Sequence, residues 1–555
     1  MKNLISLILL LGSINCFAQH DFYQHAPYEF THADTLRGML RPERTCFDVT
    51  FYDLNLKIDP EKRSINGYVK MVYRTLEDFK TLQVDLFQNM DILKIKHGEE
   101  TLNYRREENA VFVDFPRTQK KGKTDNIQIY YFGIPQPAFN PPWDGGFVWS
   151  ADRKGDPWIG VACEGDGASL WWPNKDHLSD EPDSMGINIT IPPGLTCVAN
   201  GNLRSVEPQK NGNTFHWFVS YPINNYNVTL NIADYAHFSE TYTSFDGAPL
   251  DLDYYVLSYN LEKAKEHFKQ VHKVLACYER FFGKYPFWND GFGMVETPYL
   301  GMEHQGAIAY GNAYKRGYLG GMIPRDMNWD YIIVHETAHE YFGNSVSCRD
   351  LSEMWIHESF ATYMEALYVE CIYSYEDAVR YMQTKRLFLG NVEPILGPKD
   401  VNWENWQVSD HYNKGAWVLH TLRHTINDDV KWFDLLHGFY QQFELQNITT
   451  QDFVDYVNNC TQKDYTAFFD QYLEYPGLPV LQYQITKKDN DLEVKYKWEA
   501  DVPGFNMPVM LGQKGAYQMV SPNTKSWQTI ILKGLSKKDF AIAEDLFLIE
   551  VKKVK

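Results

Sequence analysis

The stretch Val334-His335-Glu336-Thr337-Ala338-His339-Glu340-Tyr341-Phe342-Gly343 holds His-Glu-x-x-His. On a helix, His335 and His339 lie one turn apart on one face. They can then offer two neutral imidazoles to one metal ion, with Glu336 within reach of water on that ion. A catalytic zinc site keeps three protein ligands and one open position, so a third ligand must follow. Glu358 comes nineteen positions after His339. That gap fits a helix end, a short turn and a second, antiparallel helix. Two His and one Glu form a known catalytic zinc set. His357 competes with Glu358, but on one helix the two point about 100° apart, so one ion would take one of them. The apolar run Tyr331-Ile332-Ile333-Val334 ahead of the motif makes the helix at least partly buried. Two buried histidines without a metal would be hard to satisfy.

The spacing of His335, Glu336, His339 and Glu358 resembles the gluzincin aminopeptidases, typified by aminopeptidase N and leukotriene A4 hydrolase. Three further segments carry the resemblance. In Thr297-Pro298-Tyr299-Leu300-Gly301-Met302-Glu303-His304, Met302 and Glu303 match the family's Gly-x-Met-Glu-Asn, with Leu300 in place of the Gly and His304 in place of the Asn. By itself this segment reads as an edge strand broken by glycines. The resemblance implies that Glu303 binds the free α-amine of a peptide. In Gly160-Val161-Ala162-Cys163-Glu164-Gly165, Glu164 matches a family position that helps to hold the same amine, although Ala162 stands where Gln is usual. Without the resemblance it is a Gly-rich surface turn with an exposed Glu. Tyr412-Asn413-Lys414-Gly415 matches Tyr-x-Lys-Gly at a helix start, which implies that the Tyr412 hydroxyl donates to the oxyanion of the tetrahedral intermediate. Glu365, seven positions beyond Glu358, shares its helix face. It reads either as a partner behind the ligands or as an exposed charge.

The implied protein is a zinc-dependent aminopeptidase with one Zn2+ per chain, Glu336 as general base and peptides with a free amino end as substrates. Two other readings stay open. A zinc endopeptidase would share the metal motif without needing Glu303. A catalytically silent, exported peptide-binding protein would keep only the fold.

The elements that must hold these residues make an α+β multidomain chain. Residues 1–18 read as a secretory leader, with Lys2, the apolar run Leu4 to Leu11 and cleavage after Ala18. Lipidation at Cys16 is the alternative. The protein is expected to be exported, periplasmic or secreted, with no transmembrane segment. Residues 19–237 read as a large antiparallel β domain. Tyr52, Leu54, Leu56 and Ile58 alternate with polar residues, and the opposite parity of Phe47, Val49 and Phe51 predicts a bulge between the two sets. The acidic Asp180-Glu181-Pro182-Asp183 reads as a solvated turn rather than a calcium site. Residues 238–476 are the catalytic domain, which the resemblance makes thermolysin-like and mostly helical. It opens with one amphipathic helix from Leu261 to Phe282, stopped by Gly283. Residues 477–555 read as a small β-sandwich, whereas many family members continue into a large helical domain.

Net charge is −19, which argues against nucleic acid or an anionic membrane as partner. Seven scattered cysteines follow the leader, an odd number that leaves at least one thiol unpaired within the chain. Most read as small buried hydrophobes. Oligomeric state is left open.

Overall fold

A computed structural model describes residues 28–555. The leader, with its cleavage point at Ala18 and the alternative at Cys16, lies outside the described residues. Apolar alternation builds the strand Phe47–Asp59, in which Tyr52, Leu54, Leu56 and Ile58 are all buried. It pairs antiparallel with Ser64–Thr75, and the register slips between Val49 and Phe51, where the parity change predicts a bulge. These two strands sit at the middle of a ten-stranded sheet. The sheet is not wholly antiparallel, because Phe47–Asp59 runs parallel to Ser184–Ile191 on its other side. A four-stranded sheet follows, in the order Thr196–Ala199, Leu230–Ala233, Pro157–Ala162, Gly146–Ala151. Its strand Pro157–Ala162 delivers Cys163 and Glu164 toward the cleft described below.

A five-stranded sheet begins at Tyr235–Thr243 and ends, at its edge, on the two-residue strand Gly301–Met302. The helical region packs beside it. The single helix expected from Leu261 is two, Leu261–His267 and Gln270–Phe282. The turn between them lets Phe268 wedge against Tyr254, Tyr310 and Tyr314. The buried stripe then resumes at Val271, Val274, Leu275 and Tyr278. Gly283 ends the second helix at φ +109°, a conformation that favours glycine. A disulfide between Cys277 and Cys371 ties this helix to the end of the helix Trp355–Ile372. Cys46, Cys163, Cys197 and Cys348 are free and buried, and Cys460 is free and exposed.

After the helix Thr466–Leu473 come two small sheets of four and three strands. Val480–Lys488 and Asp491–Glu499 form the expected hairpin. Leu481, Trp498, Val509 and Leu511 share one apolar core with the helical region. Among the described residues no helix is long and apolar enough to cross a membrane.

One local expectation fails outright. Asp180 is buried and ion-paired with Lys175. Glu181 accepts hydrogen bonds from Ser347 Oγ at 2.7 Å, Asn447 Nδ2 at 2.9 Å and Asn224 Nδ2 at 3.4 Å. Asp180 and Glu181 therefore make this turn a joint between the β region and the helical region, and only Asp183 stays exposed as a solvated loop would. Its partners are remote in sequence, and local composition could not disclose them.

Candidate metal centre and cleft

The helix Tyr331–Tyr341 carries the His-Glu-x-x-His residues and is buried along almost its whole length. Asp330 caps it, accepting from the amides of Ile332 at 2.9 Å and Ile333 at 3.4 Å. The other Asp330 oxygen is held by Tyr310 Oη and His267 Nε2, each at 2.7 Å. Beyond its end, Gly343 sits at φ +129°, and a Cβ there would come 3.1 Å from His339 Nδ1. The chain turns through Val346–Cys348 and re-enters as the helix Trp355–Ile372, which sets Glu358 opposite the two imidazoles.

His335 Nε2 and His339 Nε2 lie 3.2 Å apart. Glu358 Oε2 is 3.5 Å from the first and 3.3 Å from the second. The opposite ring nitrogens are already used. His335 Nδ1 is 2.7 Å from Glu365 Oε1, and His339 Nδ1 donates to the Phe342 carbonyl at 3.0 Å. With both Nδ1 atoms as donors, each neutral ring presents a lone pair at Nε2. Two lone pairs and a carboxylate oxygen thus converge, and Glu358 Oε2 has no hydrogen-bond donor. Such a set calls for a cation, and its composition suits zinc. Proton affinities point the same way. Burial opposes charge on His335, but Glu358 and Glu365 outweigh it and raise its pKa to about 10. His339 rises to about 9, with Glu358 and Glu303 overcoming the same burial penalty.

His357 stays out of this cluster. Its Nε2 accepts from the Cys348 amide at 2.8 Å, and burial lowers its pKa to about 3. Glu365 is fully buried and is the partner behind His335, not an exposed charge.

Glu336 lies with Glu303 and His339 in a second group of potential ligand atoms, all within 4.8 Å of one another. Burial, opposed by His335 and His339 and reinforced by Glu303, raises the Glu336 pKa to about 8. Glu303 follows the edge strand Gly301–Met302. A Cβ on Gly301 would fall 2.6 Å from Glu336 Oε1, so the glycine is what lets this edge reach the motif helix. Tyr226 Oη donates to Glu303 Oε1 at 3.1 Å, and Asn344 Nδ2 donates to the Glu303 carbonyl at 2.7 Å. Glu164 meets Glu303 carboxyl to carboxyl. Burial first, then Glu303 and Glu358, push its pKa well above the usual range. Its Oε1 has no hydrogen-bond partner, so this residue is no exposed surface glutamate.

Tyr412 sits at the start of the helix Asn413–Ile426, its ring 6.2 Å from that of His335 and its phenol against Glu358. The rest of Tyr-x-Lys-Gly is structural. Lys414 Nζ donates to the Tyr475 and Pro476 carbonyls at 2.9 Å each. A Cβ on Gly415 would overlap Ser359 Oγ at 1.7 Å, so the glycine lets this helix cross the one bearing Glu358.

These side chains line one open cleft of about 570 Å³. Trp143, Met322 and Phe388 form part of its rim. The structure brings together every candidate site residue read from the sequence. Two participants were missed, Tyr226 and Lys385. Tyr226 comes from a short turn of 3-10 helix with no motif of its own. Lys385 could have been noticed only as lying one helical turn after Tyr381.

Residues 266–472 match the Peptidase family M1 domain. Among curated proteins, the chain is 24% identical over 228 residues to aminopeptidase N of Lactococcus lactis subsp. lactis, covering 38% of this chain and 26% of that protein. It is 23% identical over 366 residues to aminopeptidase B of Rattus norvegicus, covering 60% and 53%. The chain thus spans about half or less of the length of these relatives. Among solved structures, a mutant M1 zinc metallopeptidase from Deinococcus radiodurans superposes with a TM-score of 0.66 at 20% identity, covering 78% of this chain and 95% of that one. The same enzyme bound to a Tyr-Ser-Ala substrate gives 0.63. The helices that carry His335, His339 and Glu358 lie inside the region that matches the peptidase family M1 domain.

Proposed function

We propose that the protein is a zinc-dependent aminopeptidase that removes the first residue of peptides. The observation that carries this reading is the pair of carboxylates, buried Glu303 and half-buried Glu164, meeting without a cation in the cleft that holds the three ligands. A peptide's terminal ammonium would supply the missing charge and hydrogen bonds. Anchored there, the substrate presents its first peptide bond beside Glu336.

His335, His339 and Glu358 would hold the zinc. When bound, it supplies Lewis acidity, polarising a carbonyl and lowering the pKa of water. Glu336 takes a proton from the attacking water and passes it to the leaving nitrogen. The Tyr412 hydroxyl donates to the oxygen that gains charge as the carbonyl becomes tetrahedral. Glu365 and the Phe342 carbonyl fix the tautomer of the two imidazoles. The leader read at residues 1–18 makes the site of action outside the cytoplasm.

Aminoacyl fluorogenic amides, assayed with and without a zinc chelator, test the reaction. The expected result is turnover that chelation abolishes and zinc restores. Peptides acetylated at the amino end should resist cleavage; efficient cleavage of them would make the protein an endopeptidase.

A further inference from the structure

Lys385 is the only lysine or arginine among the described residues that line the cleft. It is buried, yet it faces none of the acids assigned above to the metal or the substrate. Its Nζ lies 2.6 Å from Glu365 Oε2. Tyr381 Oη donates to the same oxygen. The other oxygen, Oε1, holds His335 Nδ1 at 2.7 Å. Lys385 also touches the second group that fixes this ring. Its ammonium sits 4.9 Å from the centre of the Tyr331 ring, and Tyr331 stacks on His335 at 5.3 Å and 19°. The edge and the face of one metal-ligand imidazole thus lead back to one ammonium group.

His339 has no comparable apparatus, since its Nδ1 donates to a backbone carbonyl that the fold itself holds in place. The His335 side depends on the Glu365 carboxylate, whose two oxygens are held by side chains alone. A buried carboxylate that loses its counter-charge tends to turn toward other partners. Turning away would release His335 Nδ1 and let its ring leave the ligand geometry.

We infer that Lys385 is a positioning residue for the metal centre: through Glu365 and Tyr331 it keeps His335 oriented as a ligand. The inference rests on the proposed metal site at His335, His339 and Glu358. Lys385 is not a substrate anchor, because its ammonium is already engaged.

The test is zinc affinity, measured on purified full-length chain by competition with a chromophoric chelator. Lys385→Met keeps the stem and removes the charge, and it should weaken zinc binding about 10- to 100-fold. Lys385→Arg should restore affinity to within a few-fold of wild type, a rescue that loss of simple packing would not show. Tyr381→Phe removes the other donor to Glu365 Oε2 and should weaken binding by less than Lys385→Met. It is also the fallback if Lys385→Met does not fold. Wild-type affinity in Lys385→Met, or in Tyr381→Phe when only that variant folds, overturns the inference and leaves the metal site standing. If the wild-type chain itself binds no stoichiometric zinc, the metal-site reading falls and this inference with it.

Discussion

Two regions of the molecule bury carboxylates in opposite ways. In the β region three buried acids find their cations within the chain. Asp85 meets Arg44 at 2.8 Å, Asp176 meets Arg37 at 3.1 Å and Asp180 pairs with Lys175. In the cleft, Glu164, Glu303, Glu336 and Glu358 converge, and the one lysine on the wall is spent on Glu365. A buried charge without a partner costs several kcal/mol in general. A fold that supplies cations at one set of acids and withholds them at another is keeping the second set for cations from outside. On the proposed reading these are a zinc ion for Glu358 and a substrate ammonium for Glu164 and Glu303.

The largest expected effect tests the acid that is meant to receive a proton and not a cation. Glu336→Gln should keep stoichiometric zinc and lower kcat by about 10²- to 10⁴-fold. Near-wild-type turnover, with metal content confirmed by elemental analysis, would remove Glu336 from the chemistry. Tyr412→Phe comes next, with kcat lowered about 10²- to 10³-fold and zinc affinity little changed. A variant that instead lost zinc would make Tyr412 a support for Glu358, against which its phenol packs. Glu303→Gln should lower kcat/KM about 10- to 100-fold, the worth of a charged hydrogen bond, and narrow the preference for free over acetylated amino ends. If that preference stays intact, the ammonium is held elsewhere and the contrast between the two regions loses half its meaning.

The metal half of this picture was legible in the sequence because helical periodicity converts spacing into geometry. His335 and His339 at four residues, and Glu358 on a returning helix, follow from local rules alone. Glu303, Glu164 and Tyr412 were reached only through resemblance, since a lone glutamate on an edge strand or one tyrosine among 37 says nothing by itself. Glu365 stayed ambiguous because a helix face shows which residues align but not what packs over them. Tyr226 meets the site from a segment far away in the chain, and Lys385 from the next helix, with no motif around it. The hairpin at Val480–Glu499 and the bulge after Val49 were visible from alternation. The turn at Phe268 and the buried joint at Asp180 were not, because each is decided by tertiary partners.

That joint supplies the smallest effect and a control for the comparison. Glu181 is met by neutral donors alone, Ser347, Asn447 and Asn224, and has neither a protein cation nor a place in the cleft. Burial raises its pKa to about 7, with the three donors opposing the rise. Its unfolded value is near 4.3. Between those two pH values the folded chain binds the proton and the unfolded chain does not, so stability falls as pH rises through this window and is level above it. Glu181→Gln removes the titration and keeps an acceptor for the donors. Relative to wild type, it should raise the unfolding temperature by a degree or two at pH 8, on the order expected for a chain of this size, and change it little at pH 5. Turnover should be unaffected at both. A variant less stable than wild type at pH 8 would show that the charge itself holds the joint. Neutral donors would then suffice to hold a buried carboxylate charged in this fold, and the contrast with the cation-paired acids of the β region would weaken.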